Sequence, residues 1–407
     1  MTKGREKVFA LAVVGTGIHG LHLATSAVET GIVSPENLLL LDRYPENLFL
    51  WDRRVRNCCM DYLRSPASHG LDPRFPALRR LMRDPGDWTD PYHRPSVPLF
   101  RRHGEDRIRR FLGGAHRITG EVTAIDRDDS SPGRPFRVAL RPEGPDRQYR
   151  SYRAAAVILA PGMAPPCIPG PFQGLPVPSD GVERVLHVHE VRFDPHRIQA
   201  GEEILVVGGG IAALHLLPAL AERQCSVTLW RRDPITVHQF DSDPCFIGPR
   251  CSGEMRRAGT DEERIRLLRR NRRPGSVPPD LYRRYREDLD RGRYSERELQ
   301  VTEAEVIGAR VCVRGTAAVG TFDRVILCTG FADEPPARGL VKTIAERCSA
   351  PLAEGGYPRA GEDLAWIPGL YVTGGLADLV IGPPAKNIIG AHLARRRILP
   401  ALRRIIR

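Results

Sequence analysis

No stretch of this 407-residue chain approaches the roughly 18 uninterrupted apolar residues of a membrane-crossing helix, so no transmembrane segment is expected. Lysine is nearly missing. Only Lys3, Lys7, Lys342 and Lys386 stand among 61 basic residues, and arginines spread along the whole chain supply the rest. The net charge of +12 thus reads as arginine-rich usage rather than a localised patch. With no recognition motif and no basic stretch interleaved with aromatics, a nucleic-acid partner is not expected. Cysteine is sparse and poorly spaced for chemistry. The nine residues include no CxxC; Cys58 and Cys59 are adjacent, and five residues separate Cys245 from Cys251. An odd number without a second pair at zinc spacing points to reduced thiols and to no metal site.

What is present is a globular composition, 41% hydrophobic and 27% charged. Its length suits two or three domains. Met1-Thr2-Lys3-Gly4-Arg5 leads straight into an apolar strand, so a cytoplasmic protein is expected. The sequence leaves a homo-oligomer open.

Two glycine-rich turns organise the chain, Gly15-Thr16-Gly17-Ile18-His19-Gly20 and Gly208-Gly209-Gly210-Ile211-Ala212-Ala213. Each follows an apolar strand and opens an apolar helix, the setting in which a backbone can approach a pyrophosphate at a helix N-terminus. At the first, Val8 to Val14 predicts a strand, Ile18 to Thr30 a helix closed by Gly31, and Leu38 to Leu41 a second strand ending at Asp42-Arg43. Asp42 stands where a ribose-binding acid belongs. The second turn repeats this with Ile204 to Val207, a helix from Ile211 to Glu222 and a strand from Ser226 to Trp230. That strand ends on Arg231-Arg232, which suit a 2′-phosphate and hence NADPH; a solvated arginine pair is the alternative.

Two further strands run into tight turns, Ala154 to Gly162 and Asp323 to Phe331. They predict crossovers: a first domain of residues 1–163 and 332–407, and a second of 164–331 inserted into it. Residues 238–300 read as an insertion that shapes a substrate site, loop-like over 241–250 and helical over Asp261 to Asn271 and Pro279 to Asp290. Gly369 to Gly375 is a strand into a glycine turn, and Asn387 opens a helical tail to Arg407. The tail is expected to pack on the first domain rather than lie on an anionic membrane, where Pro400 would interrupt a long interfacial helix. The fold class is α/β: two Rossmann-like dinucleotide-binding domains with a helical insertion.

The order of these features resembles the class B flavin monooxygenases, and within them the ornithine and lysine N-hydroxylases of siderophore assembly. Leu63-Arg64-Ser65-Pro66-Ala67-Ser68 resembles the LRDPTS stretch beside their flavin, and Leu327-Cys328-Thr329-Gly330-Phe331 their LATGY turn. His187 to Phe193 is similar to their linker histidine motif, aligned on either His187 or His189. The resemblance implies FAD at Gly15, Gly17, Ile18, His19, Gly20, Asp42, Arg43, Gly162, Gly375 and Asn387. It implies NADPH at Gly208, Gly210, Ile211, Ala213, Arg231 and Arg232, and a place for Thr329, Gly330 and Phe331 in the cofactor site. Arg64, Ser65, His187 and His189 are the candidate catalytic residues.

It also implies the reaction. NADPH reduces FAD, a C4a-hydroperoxyflavin forms from molecular oxygen, and a nitrogen or sulfur of a small, amino-acid-derived metabolite is oxygenated. The family's substrate lysine and SPFVNE-like loop are replaced here by Arg56-Asn57-Cys58-Cys59-Met60 and Asp243-Pro244-Cys245-Phe246-Ile247-Gly248. The substrate site is therefore a diverged one. The alternatives are a flavin reductase of a disulfide, quinone or carrier protein, which would draw on Cys58-Cys59, and a non-enzymatic flavoprotein module.

Overall fold

The computed structural model describes residues 7–128, 135–142 and 148–406. The N-terminal lead Met1 to Arg5 and the final Arg407 lie outside the described residues. The chain builds two parallel sheets. In the first, the order is Ala365–Ile367, Leu370–Val372, Arg150–Leu159, Val8–Val14, Leu38–Asp42, His116–Thr119. All neighbours in it are parallel except the first pair, and a hairpin of Glu121–Arg127 and Phe136–Arg141 joins through Arg150–Leu159. The second sheet runs Ser295–Glu298, Ser226–Arg231, Glu203–Val207, Arg324–Leu327, Val185–His187, all parallel. An antiparallel meander of Val301–Ile307, Arg310–Gly315 and Ala318–Phe322 packs beside it.

The apolar runs explain this architecture. Leu11, Ala12, Val13, Leu38, Leu39 and Leu41 are wholly buried, as strands covered on both faces must be. The helices Ile18–Glu29 and Ile211–Glu222 start within a residue of their glycine turns. The expected α/β class is what the structure has.

A single helix, Ile388–Ile405, runs through Pro400. Burial of Ile389, Ala394, Ile398, Leu399 and Leu402 against the first sheet's core outweighs the cost of one missing N–H. Pro218 is likewise carried inside Ile211–Glu222. Two local expectations are corrected. First, the loop-like 241–250 contains a 3₁₀ turn, Pro244–Ile247, and the start of a helix, Pro249–Arg257.

Second, the thiols are not all reduced. Cys245 and Cys251 form a disulfide, because turn and helix fold the chain back and leave their Cα atoms 5.3 Å apart, within bonding reach. The other seven cysteines stay as thiols. Among the described residues, no helix is long and apolar enough to cross a membrane and no metal-binding cluster of His, Cys, Asp and Glu exists.

The insertion's helices Asp261–Asn271 and Pro279–Asp290 form where charge and periodicity placed them. A buried ion pair ties this region to the C-terminal segment. Arg272 Nη1 and Nη2 donate to Asp378 Oδ2 and Oδ1 at 2.7 and 2.6 Å, and Lys386 Nζ lies 3.5 Å from the same fully buried carboxylate. Replacing Asp378 with alanine strands Arg272 without its counter-charge, so Asp378→Ala should lower unfolding free energy by about 3–5 kcal/mol, read from urea midpoints.

Candidate dinucleotide-binding turns and their surroundings

Both turns close against the end of a crossover strand. Gly15 has φ +99°, and a Cβ there would lie 2.1 Å from the carbonyl oxygen of Ala160; Gly208 has φ +112°, and its Cβ would lie 2.6 Å from that of Cys328. No side chain fits either place. Each glycine N–H also donates to the neighbouring strand, Gly15 to Leu41 O at 2.7 Å and Gly208 to Trp230 O at 2.8 Å. A Cβ on Gly20 would meet Gly15 O at 1.9 Å, while Ala213 takes the equivalent buried place in the second turn. Gly17 and Gly210 cap their helices in extended conformation. Beyond Gly17 the space is open, whereas a Cβ on Gly210 would lie 3.2 Å from the Cα of Gly275 in the insertion. Gly162 (φ +86°) and Gly330 (φ +77°) turn the chain after the two crossovers, again into open space.

Asp42 is already engaged. Its Oδ2 accepts from the Thr16 N–H at 2.6 Å and the Thr16 hydroxyl at 3.0 Å, and its Oδ1 from the Tyr44 N–H at 2.9 Å. Arg117 Nη2 donates to Thr16 Oγ1 and Tyr44 O, at 3.2 and 2.8 Å, so this strand end is held as a unit. Arg43 is exposed beside it. Ile18 begins the helix and packs on the core.

His19 is a strut rather than a surface residue. Its Nε2–H donates to Asn387 O at 3.0 Å, which leaves Nδ1 to accept from Thr373 Oγ1 at 2.9 Å. Burial lowers its pKa to about 4, so the neutral tautomer is the working form. Asn387 Nδ2 donates in turn to Asp241 Oδ1 at 2.9 Å and to Ser242 Oγ at 3.3 Å. A Cβ on Gly375 would stand 3.0 Å from Pro336, so the glycine turn after the last strand is tightly enclosed.

Arg64 reaches across to the insertion. Its guanidinium donates to Gln239 O, His238 O and Ser276 Oγ, each at 2.8 Å. Ser65 follows, half-buried. Thr329 Oγ1 donates to Cys167 O at 2.6 Å, knitting the two crossover turns together. Phe331 lies flat on His189, with centroids 4.6 Å apart and planes at 1°, and Arg54 stands 4.9 Å over the same ring. His187 Nδ1 accepts from the His189 N–H at 3.1 Å. Burial lowers the two histidines to about 4 and about 3, so the neutral form of each predominates near pH 7.

The second strand's arginines differ from each other. Arg231 Nε donates to Glu296 at 3.1 Å and its Nη1 to Glu298, both on the adjoining strand, so its charge is compensated within the fold. Arg232 is 72% exposed and pairs with Asp233 next to it, at 2.8 Å. A 2′-phosphate approaching this edge meets Arg232 with less competition.

Several contributors carried no sequence signal. Asn57 Nδ2 donates to Val188 O and Glu190 O, each at 2.9 Å, fastening the turn that follows strand Val185–His187 of the second sheet. Arg117, Thr373 and Ser276 are similarly set by contacts distant in sequence. A cavity of about 680 Å³ opens where the crossover turns meet the segment after Val185–His187, lined by Cys167, Phe172, His187, Glu190, Leu327 and Ala332. A smaller one of about 450 Å³ lies between Val55 to Asp61 and the helix Ile211–Glu222, with Arg56, Cys59 and His215 in its wall.

Residues 115–240 match the family model described as L-lysine 6-monooxygenase/L-ornithine 5-monooxygenase. The match covers 126 of the 407 residues. No curated protein sequence matches it. Among solved structures, the ornithine hydroxylase of Pseudomonas aeruginosa superposes with a TM-score of 0.75 at 19% identity, over 98% of this chain and 100% of that one. The FAD-bound cadaverine monooxygenase of desferrioxamine biosynthesis from Erwinia amylovora gives 0.74 at 15%, over 98% and 95%. The bacillithiol disulfide reductase of Bacillus cereus gives 0.62 at 13%, over 98% and 99%. These likenesses are of fold.

A cluster of buried histidines lies beside the helix that the first turn opens. The His22 and His392 rings are 4.3 Å apart, and they donate to Leu71 O and Gly70 O, while His103 accepts from the Asp72 N–H. Asp72, Arg107, Arg395 and Arg396 face them. Burial lowers His69 and His103 to about 4, as it does His19, and pushes His22 and His392 down as well. Unfolded, each would bind its proton near 6.5, so the unfolded chain holds more protons between there and 4. Stability should be full above pH 6.5 and fall steadily toward pH 4, seen as a declining melting temperature; a flat profile between pH 7 and 5 would contradict the assignment.

Proposed function

We propose that this protein is an FAD- and NADPH-dependent monooxygenase that oxygenates a nitrogen, or a sulfur, of a small amine-bearing metabolite. The observation that carries the reading is the pair of glycine turns closed on Ala160 O and Cys328 O, two cradles in one chain, together with the family match over 115–240. The first suits FAD: open space at Gly17 lies before a helix N-terminus, and Asp42 closes the adjoining strand. Gly15, Gly17, Gly20, Asp42, Arg43, Gly162, Gly375 and Asn387 would hold it, in a domain of residues 1–163 and 332–407. Gly208, Gly210, Ile211, Ala213 and Arg232 would hold NADPH in the domain of 164–331, with Arg231 braced behind Arg232.

When bound, FAD supplies hydride acceptance from NADPH and reaction with molecular oxygen. The protein's part is orientation and exclusion of water. Arg64 draws His238 and Gln239 of the insertion toward the Leu63 to Ser68 stretch, and Gly275 covers Gly210, so the insertion closes over the second turn. His189 and Phe331 form a flat apolar wall at the second crossover. No general acid or base is needed from His187 or His189.

The substrate class follows from family and divergence together. The solved relatives named for cadaverine and ornithine act on aliphatic amines. Here the stretch replacing their substrate lysine is turned to structure: Asn57 binds Val188 O and Cys58 is buried. A flavin-linked disulfide reductase would need reactive thiols, and burial pushes Cys58 up to about 12 and Cys59 up to about 11.

The deciding measurement is NADPH-dependent oxygen uptake by flavin-loaded protein across an amine and thiol panel, with mass detection of a product that has gained one oxygen atom. No product from any amine or thiol, with all oxygen recovered as hydrogen peroxide, would overturn the reading. Arg232→Ala should weaken NADPH about ten- to hundredfold, the loss of one charge-assisted contact, and leave NADH nearly unchanged. Equal weakening of both nucleotides would remove the 2′-phosphate from Arg232.

A further inference from the structure

The Cys245–Cys251 bond is the one disulfide among the described residues, and it sits at a junction. It ties the 3₁₀ turn Pro244–Ile247 to the first turn of helix Pro249–Arg257. From the two tied pieces, Phe246 and Met255 project into one small core with Leu268, Ala353, Tyr357 and Leu379. Both press on Gly382, where a Cβ would lie 2.9 Å from Met255 Cγ and 3.7 Å from Phe246 Cδ1. Gly382 has φ +91° and no room, so its backbone stands directly on the bridged unit.

Gly382 begins a short path to the first glycine turn. Pro383 O accepts from Arg272 Nε at 3.1 Å, Lys386 meets Asp378, and Asn387 binds Asp241 and Ser242 on the insertion while its carbonyl receives His19. The bridge therefore sets how firmly the insertion grips segment 378–387, and that segment holds His19. Both cysteines are partly exposed, so a small dithiol can reach them.

We propose that Cys245–Cys251 is a reversible redox site, opened by a dithiol, that controls the grip of the insertion on residues 378–387 and through them on the first glycine turn. A thiolate of the dithiol attacks one sulfur and releases the other as a thiolate, which takes up a proton. The dithiol's second thiol then resolves the mixed disulfide, leaving two protein thiols and an oxidised, cyclic reductant. Two electrons pass from the dithiol to the bridge. Phe246 and Met255 then separate, and Gly382 to Asn387 loses its backing. The extension to cofactor retention rests on the proposed FAD site; the change in local order does not.

The test uses full-length protein as purified, with and without dithiothreitol, followed by alkylation mapping and hydrogen exchange by mass spectrometry. Air-purified protein should show residues 245 and 251 blocked to iodoacetamide, and reduction should expose them. Exchange over 378–392 should then run about tenfold faster, equivalent to about 1.4 kcal/mol of local opening free energy. Cys245→Ser should reproduce this without reductant, and Cys312→Ser, elsewhere in the chain, should not. FAD retention in a desalting assay should fall in parallel.

Both cysteines alkylated before reduction, or an opened bridge with unchanged exchange over 378–392, would overturn the proposal. Because exchange is read without turnover, accelerated exchange with no oxygenation product would sink the proposed activity and leave the redox site standing. Where Cys245→Ser fails to fold, reduction of the wild type decides between these outcomes by itself.

Discussion

The contact on which the rest depends is the approach of two glycines to two carbonyls, Gly15 to Ala160 O and Gly208 to Cys328 O. At each place a strand must end, a helix must begin and a crossover strand must stop beside them, all within one residue's width. A methyl group at either glycine would push the crossover strand off the sheet. Because the crossovers enter at these points, the linkers that follow, with Gly162 and Gly330 turning them, are positioned by the same constraint. Thr329 and Cys167 then meet, and the cavity near His187 forms between them.

Around these fixed turns the protein satisfies its polar groups with long-range side chains. Asp42 and Arg117 lock one strand end, Asn57 binds carbonyls after Val185–His187, Arg64 binds insertion carbonyls, and Arg272 with Asp378 pins the insertion to the C-terminal segment. Arginine serves most of these tasks because its planar fork can bridge two or three acceptors at once. The scarcity of lysine and the abundance of such bridges fit together.

What the sequence made legible was local and steric. Strands with continuous apolar runs, such as Val8–Val14, and helices opened by glycine, such as Ile211–Glu222, have ends dictated by neighbours within a few residues. Partnerships were not legible in this way. Arg231 reads as a phosphate ligand until Glu296 and Glu298, some 65 residues on, are found beside it. The Cys245–Cys251 bond depends on a turn formed by Pro244 and Gly248 that loop composition does not specify. Pro400 was overridden by burial of the residues around it. The histidine cluster gave no signal because His22, His69, His103 and His392 come from four separate segments.

The turn at Val188 to Glu190, just after the edge strand Val185–His187 of the second sheet, has a consequence of its own. Two of its carbonyls are held by Asn57, at the end of helix Phe49–Asn57, and His189 lies flat on Phe331. Asn57 comes from between strands of the first sheet, so rotation of one sheet against the other must unfasten its amide, while the rings of His189 and Phe331, which both follow strands of the second sheet, travel together. The two carbonyls held by Asn57 thus act as a fastening that such a motion has to release.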